Sequence, residues 1–367
     1  MFQILLHYEG ACDTIAEMNG GIVFMADNTA TIRQIAQAAG VSPCTAYRAL
    51  NKEELVSPAT RAKVLAAKRL LENKDERKPE APVKSSASVG IIMPVSTAHD
   101  IGRHPSMFVA MSSFVAGLTA AHVSNTVLVF DENTMRAEDL VGAHMDGYMI
   151  TGTSLRQEEL LIPAISGAGI PCVLINRLSD LPHTGSVNID DKAAVRKTTE
   201  HLIAQGHRRI VFLAGPRNYQ HTVRRQQGFL AAMNDAGLPV GEESVLYGDY
   251  SESSGFEMAA SVLKMQPRPT AAVCASDTIA LGCIHRMIGN GLSVPEDFSV
   301  IGFGDVESGR TCVPPLSTVS QCSMEVGEIA SQMILQMMSS PIIEKQRITL
   351  QTKLIVRGTT APPKTEA

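Results

Sequence analysis

The apolar positions of the chain fall into two regimes. Over 31–71 they recur at helical spacing in three short stretches. Ile32, Ile35, Ala36 and Ala39 mark the first stripe, the period of a helix face turned to a core. Gly40 permits a sharp turn, and Ser42-Pro43 pairs a capping side chain with proline at the first helical position, so a second helix is predicted to start there. Ser57-Pro58 repeats the device for a third helix ending near Leu71. From residue 88 the pattern changes to short β-type runs alternating with helix-length segments, at 88–93, 126–130, 147–151, 171–175, 209–214, 271–275 and 298–303. Alternation of this kind predicts parallel sheets covered by helices, and so many strands exceed one comfortable sheet. Two similar α/β lobes facing across a cleft are predicted.

Helix ends in the second regime carry a recurring phrase: Gly169-Ile170-Pro171, Gly237-Leu238-Pro239 and Gly291-Leu292-Ser293-Val294-Pro295. Glycine supplies a left-handed last position and proline stops the helix from continuing. Between the regimes, 72–88 turns polar and charged and includes Pro79 and Pro82, which is linker composition. The expected organisation is a head at 26–74, a linker at 75–87, a two-lobed domain at 88–360 and a tail at 361–367. Residues 1–25 show no sustained period. Gly20-Gly21 stands a few codons before Met25, as a purine-rich ribosome-binding sequence read in frame would, so 1–25 is expected to be an extension outside any domain, with Met25 the true start.

Composition narrows the class. With 44% apolar residues in 367, two or three packed cores are affordable. No run reaches the roughly 18–20 apolar residues of a membrane span, and no basic-then-apolar leader opens the chain, so a cytoplasmic protein is expected. The 7 cysteines are odd in number, scattered and never spaced C-x-x-C, which points to reduced thiols rather than disulfides or zinc. The net charge of −5 conceals an asymmetry: 26–74 holds eight basic side chains against four acidic ones, net +4, leaving −9 elsewhere. A basic head on an acidic body suits attraction to phosphate.

Small Ala36 and Ala46 let the first two helices approach closely, the geometry of a helix-turn-helix. The stretch 31–51, followed by Val56-Ser57-Pro58-Ala59-Thr60-Arg61-Ala62-Lys63-Val64, resembles the head of the lactose-repressor (LacI/GalR) family of bacterial transcription regulators. The resemblance implies that Pro43, Cys44 and Arg48 reach base edges in the major groove of operator DNA. Thr45, Tyr47 and Asn51 would meet backbone or nearby groups, with Thr31 and Ser42 at the two helix starts. The Arg48 guanidinium suits a guanine O6/N7 edge, worth roughly 1–3 kcal/mol of discrimination, whereas Pro43 lacks a donor and Cys44 is a weak one. Family members follow the third helix with a hinge that wedges a leucine into the minor groove. Here 73–87 reads NKDERKPEAPVKSSA, with no leucine, so kinking by that wedge is not expected.

The resemblance continues along 88–358, through DDKAAVRKTTEHLIAQGHRRI at 190–210, GDYSESSG at 248–255 and LSVPEDFSVIGFGDVESGRTCVPPLSTVSQ at 292–321. It implies the fold of periplasmic sugar-binding proteins, with an effector held between lobes and three chain crossings. These are expected near 187–190, 304–320 and 320–330, the lobes being 88–187 with part of 305–325, and 190–303 with the C-terminal strands. Arg225, three residues before Gly228, is the first candidate for the cleft, since a guanidinium can clamp hydroxyls or a carboxylate. Tyr250 takes the family's aromatic stacking position. Asn176 and Arg177 follow a predicted strand, Gln321 lies at a crossover, and Ser276 stands where the family often has an amide, with Asp277 beside it as a candidate helix cap. Gly304 occupies the place of a ligand-gripping aspartate, leaving Asp305 as the adjacent acidic candidate.

The expected protein is therefore a regulator, a helix-turn-helix head joined to a periplasmic-binding-protein-like α/β domain with parallel sheets. Its expected partners are double-stranded operator DNA, a small effector, and further copies of itself in a homodimer or tetramer. The effector is expected to be a sugar or sugar derivative, and Arg177 with Arg225 would suit a phosphorylated one equally. An enzyme on the same scaffold is the principal rival. The chain has no G-x-x-x-x-G-K-[ST], no G-x-S-x-G and no H-E-x-x-H; Gly167-Ala168-Gly169 meets Cys172 where a dinucleotide loop needs glycine, and His201 and His207 lie off a common helix face. No catalytic residue, metal or cofactor is expected. A regulator that binds DNA without sensing an effector is the remaining alternative, and a solute-binding protein would have no use for the head.

Overall fold

The computed structural model describes scattered head residues (35–36, 39–41, 45–46, 49–50, 56–57, 60–61, 63–65 and 67–68) and residues 87–94, 98, 104–238, 240–340 and 346–364. The chain divides into two compact units, 1–80 and 81–367.

In the first unit Ile35, Ala36, Ala46, Ala49 and Val64 form one buried cluster. Ala36 and Ala46 are 2% and 0% exposed, and such small side chains let neighbouring helix backbones meet. Gly40 sits at φ +66°, a conformation a Cβ resists, and the Val41 N–H returns to the Ala36 carbonyl at 3.0 Å. Ser57 Oγ accepts the Thr60 N–H at 3.2 Å, the capping bond that the Ser-Pro pair predicts. Thr45 is helical and half-buried. The other head positions singled out above, Thr31, Ser42, Pro43, Cys44, Tyr47, Arg48 and Asn51, lie outside the described residues, as do 1–25 and all but the last residue of 75–87.

The second unit is two lobes of one topology. Lobe one contains strands β1 (Ser88–Pro94), β2 (Ser124–Phe130), β3 (Gly147–Ile150), β4 (Cys172–Ile175), β5 (Thr184–Ile189) and β11 (Arg347–Leu350). Its helices are α1 (Pro105–Ala120), α2 (Ala137–Val141), α3 (Leu155–Gly167) and α9 (Ser323–Ser339). Lobe two contains β6 (Ile210–Ala214), β7 (Val245–Tyr247), β8 (Ala271–Cys274), β9 (Ser299–Gly304), β10 (Ser317–Ser320) and β12 (Lys353–Ile355). Its helices are α4 (Asp191–Ala204), α5 (Gln220–Asp235), α6 (Glu252–Lys264), α7 (Asp277–Gly289) and α8 (Glu307–Thr311). The sheet orders are β11-β5-β4-β3-β1-β2 and β12-β10-β9-β8-β6-β7. All pairings are parallel except β10 with β12. Among the described residues no helix is long and apolar enough to cross a membrane.

Every predicted strand has its counterpart, but β5, β7, β10, β11 and β12 were not predicted: β7 (VLY) is only three residues long, and the others lack a sustained apolar run. β5 (TGSVNI) is buried throughout; Thr184 Oγ1 donates to the Leu181 carbonyl at 2.7 Å, whereas the side chains of Ser186 and Asn188 are buried without a partner. The glycines at 169, 237 and 291 adopt φ +72°, +65° and +80°, the left-handed helix ends that their phrase predicts.

The crossings differ from expectation. The chain leaves lobe one between β5 and α4, returns at 321–323, and leaves again between β11 and β12. The expected crossing at 304–320 does not occur. β10 pairs in parallel with β9, Thr318 opposite Gly302, and Leu316 and Val319 enter the buried core, so 305–320 stays with lobe two. In lobe one α9 lies against α1 so closely that a Cβ on Gly327 would meet the Ala110 carbonyl at 2.1 Å.

Candidate functional site

The cleft between the lobes opens at the C-terminal ends of both sheets, where the strand ends leave a crevice. It is lined by residues of both lobes, among them His104, Arg177, Tyr219, Arg225 and Tyr250. Two arginines face it from opposite sides. Arg225, on α5, is 4% exposed; its Nε donates to Asp191 Oδ1 at 2.7 Å, its Nη1 to the Ala275 carbonyl at 2.5 Å, and its guanidinium lies 3.8 Å above the Phe303 ring. Arg177, just after β4, is 2% exposed. Its Nη2 reaches Glu158 Oε1 at 2.6 Å and the Thr153 carbonyl. Burial pushes the Glu158 carboxyl up to about 7 against the opposing pull of Arg177, and burial lowers Arg177 in turn. Arg177 Nη1 and Asn176 Oδ1 are buried without a partner. In a low-dielectric site such groups call for one.

Rings form one wall. Tyr250, at φ +68°, packs His104 at 5.6 Å, His221 at 5.5 Å and Tyr219 at 6.4 Å between centroids. A Cβ on Gly215 would lie 2.1 Å from Tyr250 Cζ, so bare backbone floors the ring. The hydroxyl of Tyr250 shares a hydrogen with Thr222 Oγ1 at 2.8 Å, and burial pushes the phenol up to about 12. Burial, then the charges of Arg225 and Arg177, hold His221 well below its usual value; the imidazole is neutral at pH 7.

Asp277, 1% exposed, accepts from Thr318 Oγ1 at 2.5 Å and from the Val306 N–H at 2.8 Å, tying α7 to β10 and to the turn after β9. Burial raises its carboxyl to about 6. Gly304, at φ +148°, leaves its side open: a Cβ there would stand 3.0 Å from Ser106 Oγ of lobe one. Hydrogen bonds between the lobes include Gln321 Nε2 to Ser106 Oγ at 3.5 Å and the Leu155 N–H to the Asn218 carbonyl at 2.9 Å.

Residues 31–72 match the family described as bacterial regulatory proteins, lacI family, and 199–360 match the periplasmic binding protein-like domain. The chain thus joins a lacI-family head to a periplasmic-binding-like domain. It is 29% identical over 331 residues to the HTH-type transcriptional repressor PurR of Actinobacillus pleuropneumoniae, covering 89% of this chain and 97% of that one. It is 28% identical over 357 residues to the HTH-type transcriptional repressor CytR of Escherichia coli, covering 91% and 97%. Among solved structures, the transcriptional regulator CelR–cellobiose complex is similar with a TM-score of 0.67 and 26% identity over 90% of this chain and 99% of that one. The lac repressor dimer bound to operator and the anti-inducer ONPF is similar at 0.63 and 25%, over 91% and 99%. With a lacI-family head and repressors among its relatives, the protein is a transcription regulator.

Of the seven cleft candidates, Arg225, Tyr250, Asn176, Arg177, Ser276 and Gln321 are brought together on its lining. Asp305 is not. Its backbone turns to φ +58° after Gly304, and its carboxylate is taken by Arg357 at 2.6 Å and Arg310 at 2.8 Å. Burial opposes ionisation there, but those two hydrogen bonds outweigh it and hold the carboxyl below its usual range. The cap of α7 is also reassigned: Ser276 Oγ accepts the Ile279 N–H at 3.1 Å, which frees the Asp277 carboxylate for its longer-range bonds. His104, Tyr219, His221 and Phe303 line the cleft without having been singled out. They come from three separate segments, with Tyr219 and His221 two positions apart, and no spacing announces them.

Proposed function

We propose that the protein represses transcription by binding operator DNA through residues 31–72, and that a small uncharged molecule with a ring and hydroxyl groups, of the sugar or nucleoside kind, seats in the cleft and sets that affinity. The observation that carries this reading is the pairing of both cleft guanidiniums with buried carboxylates, beside an unpartnered donor and acceptor on Arg177 and Asn176. A phosphate dianion gains most from an uncommitted cation, whereas an uncharged ring is suited by the wall of four rings. The neighbour solved with cellobiose supports a neutral occupant.

A second copy fits the outer face of lobe one. There α1 (PSMFVAMSSFVAGLTA) is apolar around most of its circumference, and Val109, Val127 and Val129 are 43%, 45% and 41% exposed on α1 and β2. Two heads joined this way would read two half-sites.

A thermal-shift series on the full chain tests the reading, with glucose, ribose, cellobiose, adenosine, cytidine and glucose 6-phosphate as probes. Ligand at a hundredfold excess over its Kd adds about 2.7 kcal/mol of stability. A shift from neutral compounds that Tyr219→Ala abolishes is expected. A shift from glucose 6-phosphate alone would overturn the uncharged class, and no shift from any probe, with operator binding intact, would favour a regulator that reads DNA without an effector.

A further inference from the structure

We propose that Asp277 is the positioning residue of the lobe-two wall of the cleft: its buried carboxylate holds the left-handed turn after β9, and that turn sets where Phe303 and Val306 meet a bound molecule. The ligand half of this proposal rests on the cleft being the sensor.

Ser276 already caps α7, so the Asp277 side chain is spared for other partners. It is 1% exposed, and bare backbone closes around it. A Cβ on Gly302 would stand 2.2 Å from Oδ1, and Cβ atoms on Gly304 and Gly309 would stand 3.3 Å and 3.6 Å from Oδ2. Strand β9 and helix α8 thus leave a seat that a carboxyl group fills. The turn it serves takes two uncommon conformations in succession, φ +148° at Gly304 and +58° at Asp305, which persist only where neighbours over-determine them. From outside, Arg310 and Arg357 grip the Asp305 carboxylate. From inside, both turn amides lead to Asp277. The Val306 N–H donates to Oδ2 at 2.8 Å; the Asp305 N–H donates to Thr318 Oγ1 at 3.4 Å, and that hydroxyl donates to Oδ1 at 2.5 Å. Phe303 and Val306, on either side of the turn, line the cleft, and the Phe303 ring carries the Arg225 guanidinium on its face.

A proton on Asp277 weakens this support. The ionised carboxylate accepts both bonds as charge-assisted ones, which are roughly twice as strong as their neutral counterparts. Burial raises the carboxyl to about 6 against the pull of the Thr318 and Val306 hydrogen bonds, and the Asp305 charge adds to the rise. The other titratable groups facing it are Arg310 on α8, Cys274 at the end of β8 and Cys312 after α8. Above about 6 the carboxylate is ionised and the turn firm. A molecule that needs the firm turn binds best there, and its affinity falls as pH drops through that value. Asp277→Asn seats a neutral amide of the same shape and so fixes the protonated behaviour at every pH. Thr318→Val removes one of the two hydrogen bonds without changing the volume.

The test uses the full chain and two readouts across the acidic range: nuclear magnetic resonance of the turn, and the affinity for cellobiose, ribose, adenosine and cytidine. Without a probe, the amide signals of Asp305 and Val306 and the ring signals of Phe303 are expected to move together with a midpoint near 6. That step should vanish in Asp277→Asn. In Thr318→Val its midpoint should rise, because a hydrogen bond favouring the ionised form is gone. Phe303 signals that stay still while the amides titrate would overturn the positioning role, since a purely local bond moves the amides alone. Whichever probe the parent takes is expected to bind about fivefold more weakly at pH ~5 than at pH ~7.5. Asp277→Asn should bind it about fivefold more weakly than the parent at the higher pH, with the step gone. Parent-like affinity or a parent-like step in Asp277→Asn would overturn the coupling. Should Asp277→Asn fail to fold, an affinity step that Thr318→Val leaves in place would overturn it equally. If the parent binds none of the four, the reading of the cleft as a sensor fails and the ligand half of the proposal falls with it, while the Phe303 signals still decide the turn.

Discussion

The two lobes share one strand order yet treat a buried arginine in opposite ways. In lobe two, Asp191, the Ala275 carbonyl and the Phe303 ring meet the Nε, Nη1 and face of Arg225. In lobe one, Arg177 is partly spent, with one nitrogen bonded to Glu158 and Thr153 and another facing nothing. Arg225 is held by three different groups at once. Arg177 is held at one nitrogen by a carboxyl that burial raises to about 7 and keeps another buried without a partner. The same residue type in one cleft is thus fixed by partners of different kinds.

The largest effect should come from breaking the pair in lobe two. Arg225→Ala strands the Asp191 carboxylate, 1% exposed, and is expected to cost about 3–5 kcal/mol of stability, read as a fall in the urea midpoint with an unchanged slope. Gly304→Ala comes next. A Cβ at φ +148° against Ser106 should cost of order 1–3 kcal/mol and widen the cleft, which small-angle scattering would register as a larger radius of gyration.

The contrast between the arginines also has a pH signature. Glu158 titrates near 7 in the folded protein, above the roughly 4.3 of an unfolded chain. Between those values the folded state holds more protons than the unfolded one, so this group's contribution to stability falls as pH rises toward 7. The melting temperature should therefore climb as pH is lowered from about 8 to about 6, and Glu158→Gln should flatten that slope. Calorimetry at matched ionic strength checks it. The smallest change in stability should come from the outer face of lobe one. Val127→Thr with Val129→Thr is expected to move stability by no more than about 0.5 kcal/mol, yet to weaken self-association in sedimentation equilibrium if that face joins two copies.

What was legible in the sequence was local. The Ser-Pro helix starts, the glycine helix ends and the apolar strands are encoded within a few residues, and Ser57, Gly169 and the long strands take the predicted conformations. What was not legible depended on distant partners. Arg177 and Arg225 look like free cations when read alone; Glu158 and Asp191, which neutralise them, stand 19 and 34 positions away. Asp305 looked available because Arg357, which claims it, follows 52 residues later. The ring wall of His104, Tyr219, His221 and Tyr250 is likewise assembled from separate segments, two of them across the cleft from each other.

The interleaved strand order also constrains how the molecule is born. Lobe one opens its sheet at residue 88 but closes it only with β11, at 347–350, and lobe two closes its own with β12, at 353–355. Neither lobe is a contiguous stretch of chain. On the ribosome, each sheet must therefore wait, with β5 and β10 unpaired on one side, until the last few residues emerge. The two halves mature together at the end of translation, and a chain that terminates before 347 leaves both of them unfinished.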